Sequence, residues 1–303
     1  MEKVINYIIP VEDDGMQVKG ILRQKIRLST TQIKRAKFRD MGITLNGQHV
    51  TVRAVAHTGD LLVIRIEDPE AESQHLEPME GDLDVVYEDD EILVVNKPAG
   101  LPVHPSPGHY KDTLANILVY YFRQRGLKLV VRTLGRLDKD TSGLILVAKN
   151  APAQTTLERQ RAEGTLRRIY LALAEGNIEP PKGTVDAPIA SKPGSLMVRE
   201  VREDGAPAVT DYETLKNGSE YSLIRLHLHS GRTHQIRVHM SWIGHPLVGD
   251  FLYGTEGLHG MSRTALHSAQ LSFIHPGTGA PMCLDCPLPE DMQQLVDEIE
   301  TVE

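Results

Sequence analysis

Residues 135–149 read Gly-Arg-Leu-Asp-Lys-Asp-Thr-Ser-Gly-Leu-Ile-Leu-Val-Ala-Lys. Arg136, Asp138, Lys139 and Asp140 fall within five positions, a turn at Thr141-Ser142-Gly143 follows, and Leu144 to Ala148 is a five-residue apolar run. A polar turn feeding a buried strand is a good mount for a charged group that must meet a ligand, because the strand is rigid and the turn stays open. On composition alone the commoner reading is a solvated charged loop ahead of a core strand. Other candidates are weaker. His234 and His239 invite a metal reading, but no third ligand is spaced for one and no His-Glu-x-x-His occurs, so no metal centre is expected. Cys283-Leu-Asp-Cys286 has redox-motif spacing without a second pair, which makes it incidental. Asn96-Lys97-Pro98-Ala99-Gly100 is poor in glycine for a phosphate cradle and reads as a structural turn.

The elements that must position these groups are bounded by length and charge. At 303 residues the chain can hold two domains. No apolar run reaches the roughly 18 residues of a membrane span. The first ten residues lack the basic and apolar regions of a secretory signal. With only two cysteines there is no disulfide framework, and a reducing cytoplasm is the natural setting. The net charge of −8 argues against a nucleic-acid partner only until its distribution is read. Residues 17–66 carry ten Lys or Arg against Asp40 and Asp60. Residues 67–91 carry twelve acidic side chains and no basic one, and residues 283–303 carry seven and none. Residues 92–282 return to an excess of 22 basic over 16 acidic. Two basic bodies are thus separated by an acidic strap, and local patches drive binding to phosphates.

Four units are expected: an N-terminal segment over 1–16 of unclear role, a small domain over 17–66, an acidic linker over 67–82, and a large domain over 83–303. Ser29 or Thr30 can cap a helix running to about Met41, with Gly42 as its stop. Its apolar stripe is narrow, and Lys34, Arg35, Lys37 and Arg39 crowd its other faces. Asn46-Gly47 between short alternating runs predicts a hairpin. This basic helix and hairpin resemble an S4-type RNA-binding domain. The linker, with Pro69 and Pro78, is expected to stay extended by self-repulsion. Beyond it, strands are expected near 85–87, 92–95, 144–148, 169–173, 184–189, 208–215, 221–229 and 266–273, and helices at 113–126, 151–163 and 233–243. Consecutive strands with few interrupting helices imply an α+β fold on a mixed, largely antiparallel sheet.

Five separated stretches then make a pattern. They are Asn-Lys-Pro-Ala-Gly-Leu-Pro-Val-His-Pro from Asn96, the 136–149 stretch, Arg168-Ile169-Tyr170, Gly-Arg-Thr-His-Gln-Ile-Arg-Val-His from Gly231 with Gly-His-Pro-Leu-Val-Gly-Asp from Gly244, and Arg263-Thr264-Ala265-Leu266-His267. In this order they resemble the RluA/RluD family of pseudouridine synthases over about residues 87–275, and the small basic domain matches the larger members. The resemblance implies an enzyme that isomerises uridines in structured RNA, large-subunit ribosomal RNA first, without cofactor or metal. A tRNA target and a non-catalytic RNA-binding assembly protein are the alternatives. It makes Asp138 the catalytic aspartate, Arg237 its basic partner and Tyr170 the residue stacking on the target base. Arg136 would enter the RNA where the nucleotide leaves, and Leu266 would line the base pocket, though core packing serves as well. Lys34, Arg35, Lys37 and Arg39 would meet RNA phosphates. No membrane or protein partner is implied. Two positions depart from the family pattern: Gly135 stands where many relatives have His, and Arg168 where many have Lys.

Overall fold

The structure, a computed structural model, describes residues 2–67, 76–195 and 197–299. The small domain is a four-stranded antiparallel sheet with two helices on it. Its strands are β1 (Glu2–Ile8), β2 (Ile43–Leu45), β3 (Gln48–His49) and β4 (Leu61–Glu67), in the order β1-β4-β2-β3. The expected separate segment over 1–16 is therefore corrected: β1 pairs along its whole length with β4, Glu2 opposite Glu67 through Ile8 opposite Leu61. Ile9, Val18, Ile21, Leu22, Ile33, Ala36, Ile43, Leu62 and Ile64 make one core, so the apolar residues of both stretches are buried together. Helix α1 (Val18–Gln24) was not expected. Helix α2 (Thr30–Phe38) starts as expected, because Ser29 and Gln32 form a reciprocal capping box. It stops at Phe38, short of Met41. Asn46 and Gly47 both have positive φ, the conformation a two-residue hairpin turn requires.

The large domain is built on a ten-stranded sheet. Its strands are β5 (Asp84–Glu88), β6 (Ile92–Lys97), β7 (Arg132–Thr133), β8 (Ser142–Ala148), β9 (Arg167–Glu175), β10 (Lys182–Asp186), β13 (Val209–Lys216), β14 (Tyr221–Leu228), β15 (Leu266–Ile274) and β16 (Pro281–Asp285). A separate hairpin pairs β11 (Ile189–Ser191) with β12 (Arg199–Val201). The main order is β10-β13-β14-β9-β15-β8-β6-β5, with β16 on β15 and β7 on β8. Every pairing is antiparallel except β15 with β8, where His267 lies opposite Ser142. The helices are α3 (Leu114–Gln124), α4 (Ala151–Ala162), α5 (Gln235–Trp242) and α6 (Glu290–Glu298). Thr113 and Asn150 cap α3 and α4.

Strand β8 is buried at every position, as a central strand covered on both faces should be. Its alternate residues serve two cores: Ile145 and Val147 join Tyr170 and Ile236, while Leu144 and Leu146 join Leu157 of α4. Ser142 and Gly143, expected in the turn, already belong to this strand. A Cβ on Gly143 would meet the Ser268 carbonyl at 2.3 Å, so glycine is what lets β15 approach. Of the expected linker, residues 68–75 lie outside those described. Residues 76–82 pack on α3 instead of standing free, with the Asn116 amide donating to the Glu77 carbonyl.

Candidate active site

The loop between β7 and β8 carries Asp138. The Thr141 N–H donates to the Asp138 carbonyl at 3.2 Å, closing a turn at Lys139 and Asp140. Three cations hold this loop by its backbone. Arg168 donates to the Leu134 carbonyl. Lys97 donates to the Lys139 carbonyl at 2.9 Å, and Arg263 to the Asp140 carbonyl at 3.2 Å. Lys97 sits at the end of β6, fully buried, and its ammonium also donates to the carbonyls of Pro98 and Leu101 at 2.7 and 2.8 Å. Burial pushes it from the ordinary lysine value of 10.5 to about 7, against the pull of Asp140. Arg263 is fixed in turn by Asp291 at the start of α6, through bonds of 2.6 and 2.8 Å. The Asn96-to-Leu101 turn, read as structural, thus supplies the lysine that anchors the loop.

With its backbone clamped, the Asp138 side chain stays 23% exposed. Arg237 of α5 faces it, Nη1 3.8 Å from Oδ2. Arg237 is not the helix-surface residue its position on α5 allowed but is buried. Its closest partner is Asp250, which sequence reasoning did not single out. Asp250 is fully buried and takes both Nε and Nη2 at 2.6 Å, the planar two-point pairing in which arginine excels. Burial works against the Arg237 charge, but these two bonds, with Asp138 behind them, hold it above the usual arginine range. The guanidinium lies 5.5 and 5.1 Å from the ring centres of Phe251 and Tyr253.

His234 caps α5 in the left-handed conformation, φ 58°, an uncommon state for a side-chain-bearing residue. The strained backbone turns its ring between Tyr253, 2.8 Å from Nδ1, and Asp138, 3.9 Å from Nε2. The Tyr253 oxygen also accepts from the Arg199 N–H at 2.8 Å, so this hydroxyl links His234 to the backbone of β12. Burial pushes the His234 pKa down, opposed by Asp138.

Tyr170 of β9 belongs to the core cluster that includes Leu137, Leu226, Ile236 and Leu266, and is 5% exposed. Burial pushes its phenol up, with Arg168 pulling the other way. Leu266 belongs to the same core cluster, opposite Ala172 of β9. Arg136 is exposed and makes no hydrogen bond or ion pair among the described residues, so the salt bridge to Asp140 open to it is not formed. Its charge lowers His104, after burial of that ring. Lys34, Arg35, Lys37 and Arg39 lie on and just after α2, in the small domain and outside this cleft.

His239 uses both ring nitrogens, on Thr210 and the Ala187 carbonyl, and so has none left for a metal. Among the described residues one His/carboxylate group of metal-binding size occurs, Asp211 with His227 and His229. Strand alternation puts it on the sheet face opposite Tyr170. There His229 bonds Asp211 at 2.6 Å and Thr184 holds the other oxygen, which reads as a surface ion-pair ladder. Cys286 is buried and its thiol is pushed up to about 11, unlike a redox thiol.

Residues 91–242 match the family described as RNA pseudouridylate synthase. The chain belongs to this family, in its RluA/RluD branch, and is an RNA pseudouridine synthase. It is 41% identical to an uncharacterised RNA pseudouridine synthase of Bacillus subtilis, YjbO, over 86% of this chain and 91% of that one. It is 39% identical to ribosomal large subunit pseudouridine synthase D of Xanthomonas campestris, over 84% and 80% of the two chains. Among solved structures, human RNA pseudouridylate synthase domain containing 1 aligns with a TM-score of 0.57 at 27% identity, covering 75% of this chain and all of that one. Among the described residues no helix is long and apolar enough to cross a membrane.

Proposed function

We propose that this protein isomerises uridines in large-subunit ribosomal RNA, with Asp138 as the reacting carboxylate. The observation that carries this is one accessible carboxylate set on a clamped loop, opposite a buried arginine that Asp250 fixes in place. Conversion of uridine to pseudouridine breaks N1–C1′ and forms C5–C1′. The C5 hydrogen leaves and N1 gains a proton. Atoms and electrons balance within the nucleotide, so the reaction calls for no cofactor. Asp138 faces the positive charge that develops at the ribose as N1–C1′ breaks, and its carboxylate then takes the C5 proton after the base has rejoined. Arg237 faces that carboxylate and orients it. Arg136, exposed two residues ahead, fills the stack when the nucleotide is extruded, a step costing a few kcal/mol. Tyr170 floors the pocket. The small domain, with Lys34, Arg35, Lys37 and Arg39 on or beside one helix, is an S4-like phosphate-binding unit. Relatives named as large-subunit synthases support the ribosomal substrate over tRNA.

The test is a carbodiimide map of pseudouridine across cellular RNA. Stops in large-subunit RNA should vanish in a strain lacking this protein and return with the wild-type gene. Stops lost only from tRNA would overturn the substrate. An unchanged map would overturn the assignment altogether.

A further inference from the structure

We propose that Arg168 is a positioning residue for the reaction and that Gly135 is its steric counterpart, the two together fixing the base of the Asp138 loop on the strand that carries Tyr170. The inference rests on Asp138 being the reacting carboxylate. Arg168 and Tyr170 stand two apart on β9, so both side chains leave the same face of the strand. One terminal nitrogen of Arg168 donates to the Leu134 carbonyl, where the Asp138 loop begins. The guanidinium charge also acts on the Tyr170 phenol, against the effect of burial. A single planar group thus holds the base of the loop on the strand that carries the tyrosine.

Gly135 makes room for it. A Cβ at this position would lie 2.7 Å from Nη1 of Arg168 and 3.4 Å from its Cζ, closer than packed atoms come. Gly135 also has φ +82°, a conformation that glycine alone adopts freely. The two requirements are independent, and only the first involves Arg168. Among the described residues the buried Nε of Arg168 has no partner, and its head is held by Nη2 on the Leu134 carbonyl. A guanidinium presents its donors at fixed angles on a planar head, and an ammonium on a flexible stem holds that carbonyl less firmly. Asp138 lies three residues beyond Gly135. Freeing the loop base from β9 displaces the carboxylate, and a misplacement of about 1 Å costs on the order of 100-fold in rate.

The experiment is a double-mutant cycle on the full-length enzyme. The probe is total RNA from a strain lacking this protein, labelled with tritium at uridine C5, from which isomerisation must release the label. Single-turnover rates are measured for Gly135→Ala, Arg168→Lys and the double variant. Arg168→Lys should lower the saturating rate roughly 10- to 100-fold. The RNA concentration giving half that rate should stay within about twofold, because binding is not what is lost. Gly135→Ala should fall by a similar factor. The cost of the left-handed backbone is common to both backgrounds and cancels in the cycle, whereas the clash with the guanidinium does not. Gly135→Ala should therefore cost at least about fivefold less when residue 168 is lysine. Multiplicative effects, or a wild-type rate in Arg168→Lys, would overturn the pair. If Gly135→Ala does not fold, Arg168→Lys decides alone: a loss of saturating rate supports the proposal, and a loss of RNA affinity only overturns it. An Asp138→Asn control separates the two levels. Full activity there would overturn the reading of the site and this inference with it, while an inactive control beside multiplicative effects would overturn the pair alone.

Discussion

The small domain and the cleft use the same residue types in opposite ways. On α2, Lys34, Arg35 and Lys37 are exposed, and Phe38 stands 73% exposed beside the Lys37 ammonium, 5.1 Å from its ring centre. In the cleft, Lys97 and Arg237 are buried, and Arg168 and Arg263 are tied to backbone or carboxylate within it. Exposed cations act at long range, are screened by salt, and suit a polyanion held without sequence reading. Buried, partnered cations are little screened and fix geometry. The difference teaches that basic charge in this chain has two jobs, holding RNA and holding a loop. Only the second determines where Asp138 stands.

The comparison can be broken most forcefully at Asp250. Asp250→Asn leaves the buried Arg237 without its ionic partner and should cost about 3 kcal/mol of stability, read by denaturant titration, together with most of the activity. A variant as stable and active as wild type would mean that the Arg237 charge positions nothing. Lys97 offers a pH test. Its pKa is about 7 in the folded protein against an ordinary 10.5. Between these values the unfolded chain holds the lysine proton and the folded chain does not, so folding stability rises with pH. This contribution is complete above about 10.5 and is lost as pH falls through about 7. Wild type should therefore gain stability relative to Lys97→Met as pH climbs across that window, with a flat difference below it. A difference that narrows on going up would contradict the burial of this group. The smallest effect on rate is expected in the small domain. Replacing Lys34, Arg35 and Lys37 together by Ala should weaken RNA binding and flatten its log–log salt dependence by roughly 2. The saturating rate should not change. A fall in that rate with an unchanged salt slope would assign these residues to the chemistry.

Much of the fold was legible because its determinants are local. The caps at Ser29 and Thr113, the Asn46-Gly47 hairpin and the apolar run that becomes β8 can each be read within a few residues. Strand β1 was not legible, because Glu2 to Ile8 becomes a strand only by pairing with β4 some sixty residues later. The site followed the same rule. Asp138 and Arg237 came from motifs, and they face each other. Asp250 was missed because its role rests on a burial and a two-point geometry that spacing does not express, although it closes the Gly-His-Pro-Leu-Val-Gly-Asp stretch. Lys97 was read as part of a turn because three backbone carbonyls, its partners, leave no trace in side-chain identity. Gly135 and Arg168 looked like unrelated departures from a pattern, and in the fold they touch.

The central claim is that Asp138 does the chemistry and its surroundings only hold it. The most direct test is single-turnover tritium release from C5-labelled RNA by Asp138→Asn at saturating enzyme, with RNA binding measured alongside. The account predicts a rate at least about 10³-fold below wild type, with binding within a few-fold, because the charge is lost and the shape is kept. Release at a rate near wild type, with binding intact, would contradict it.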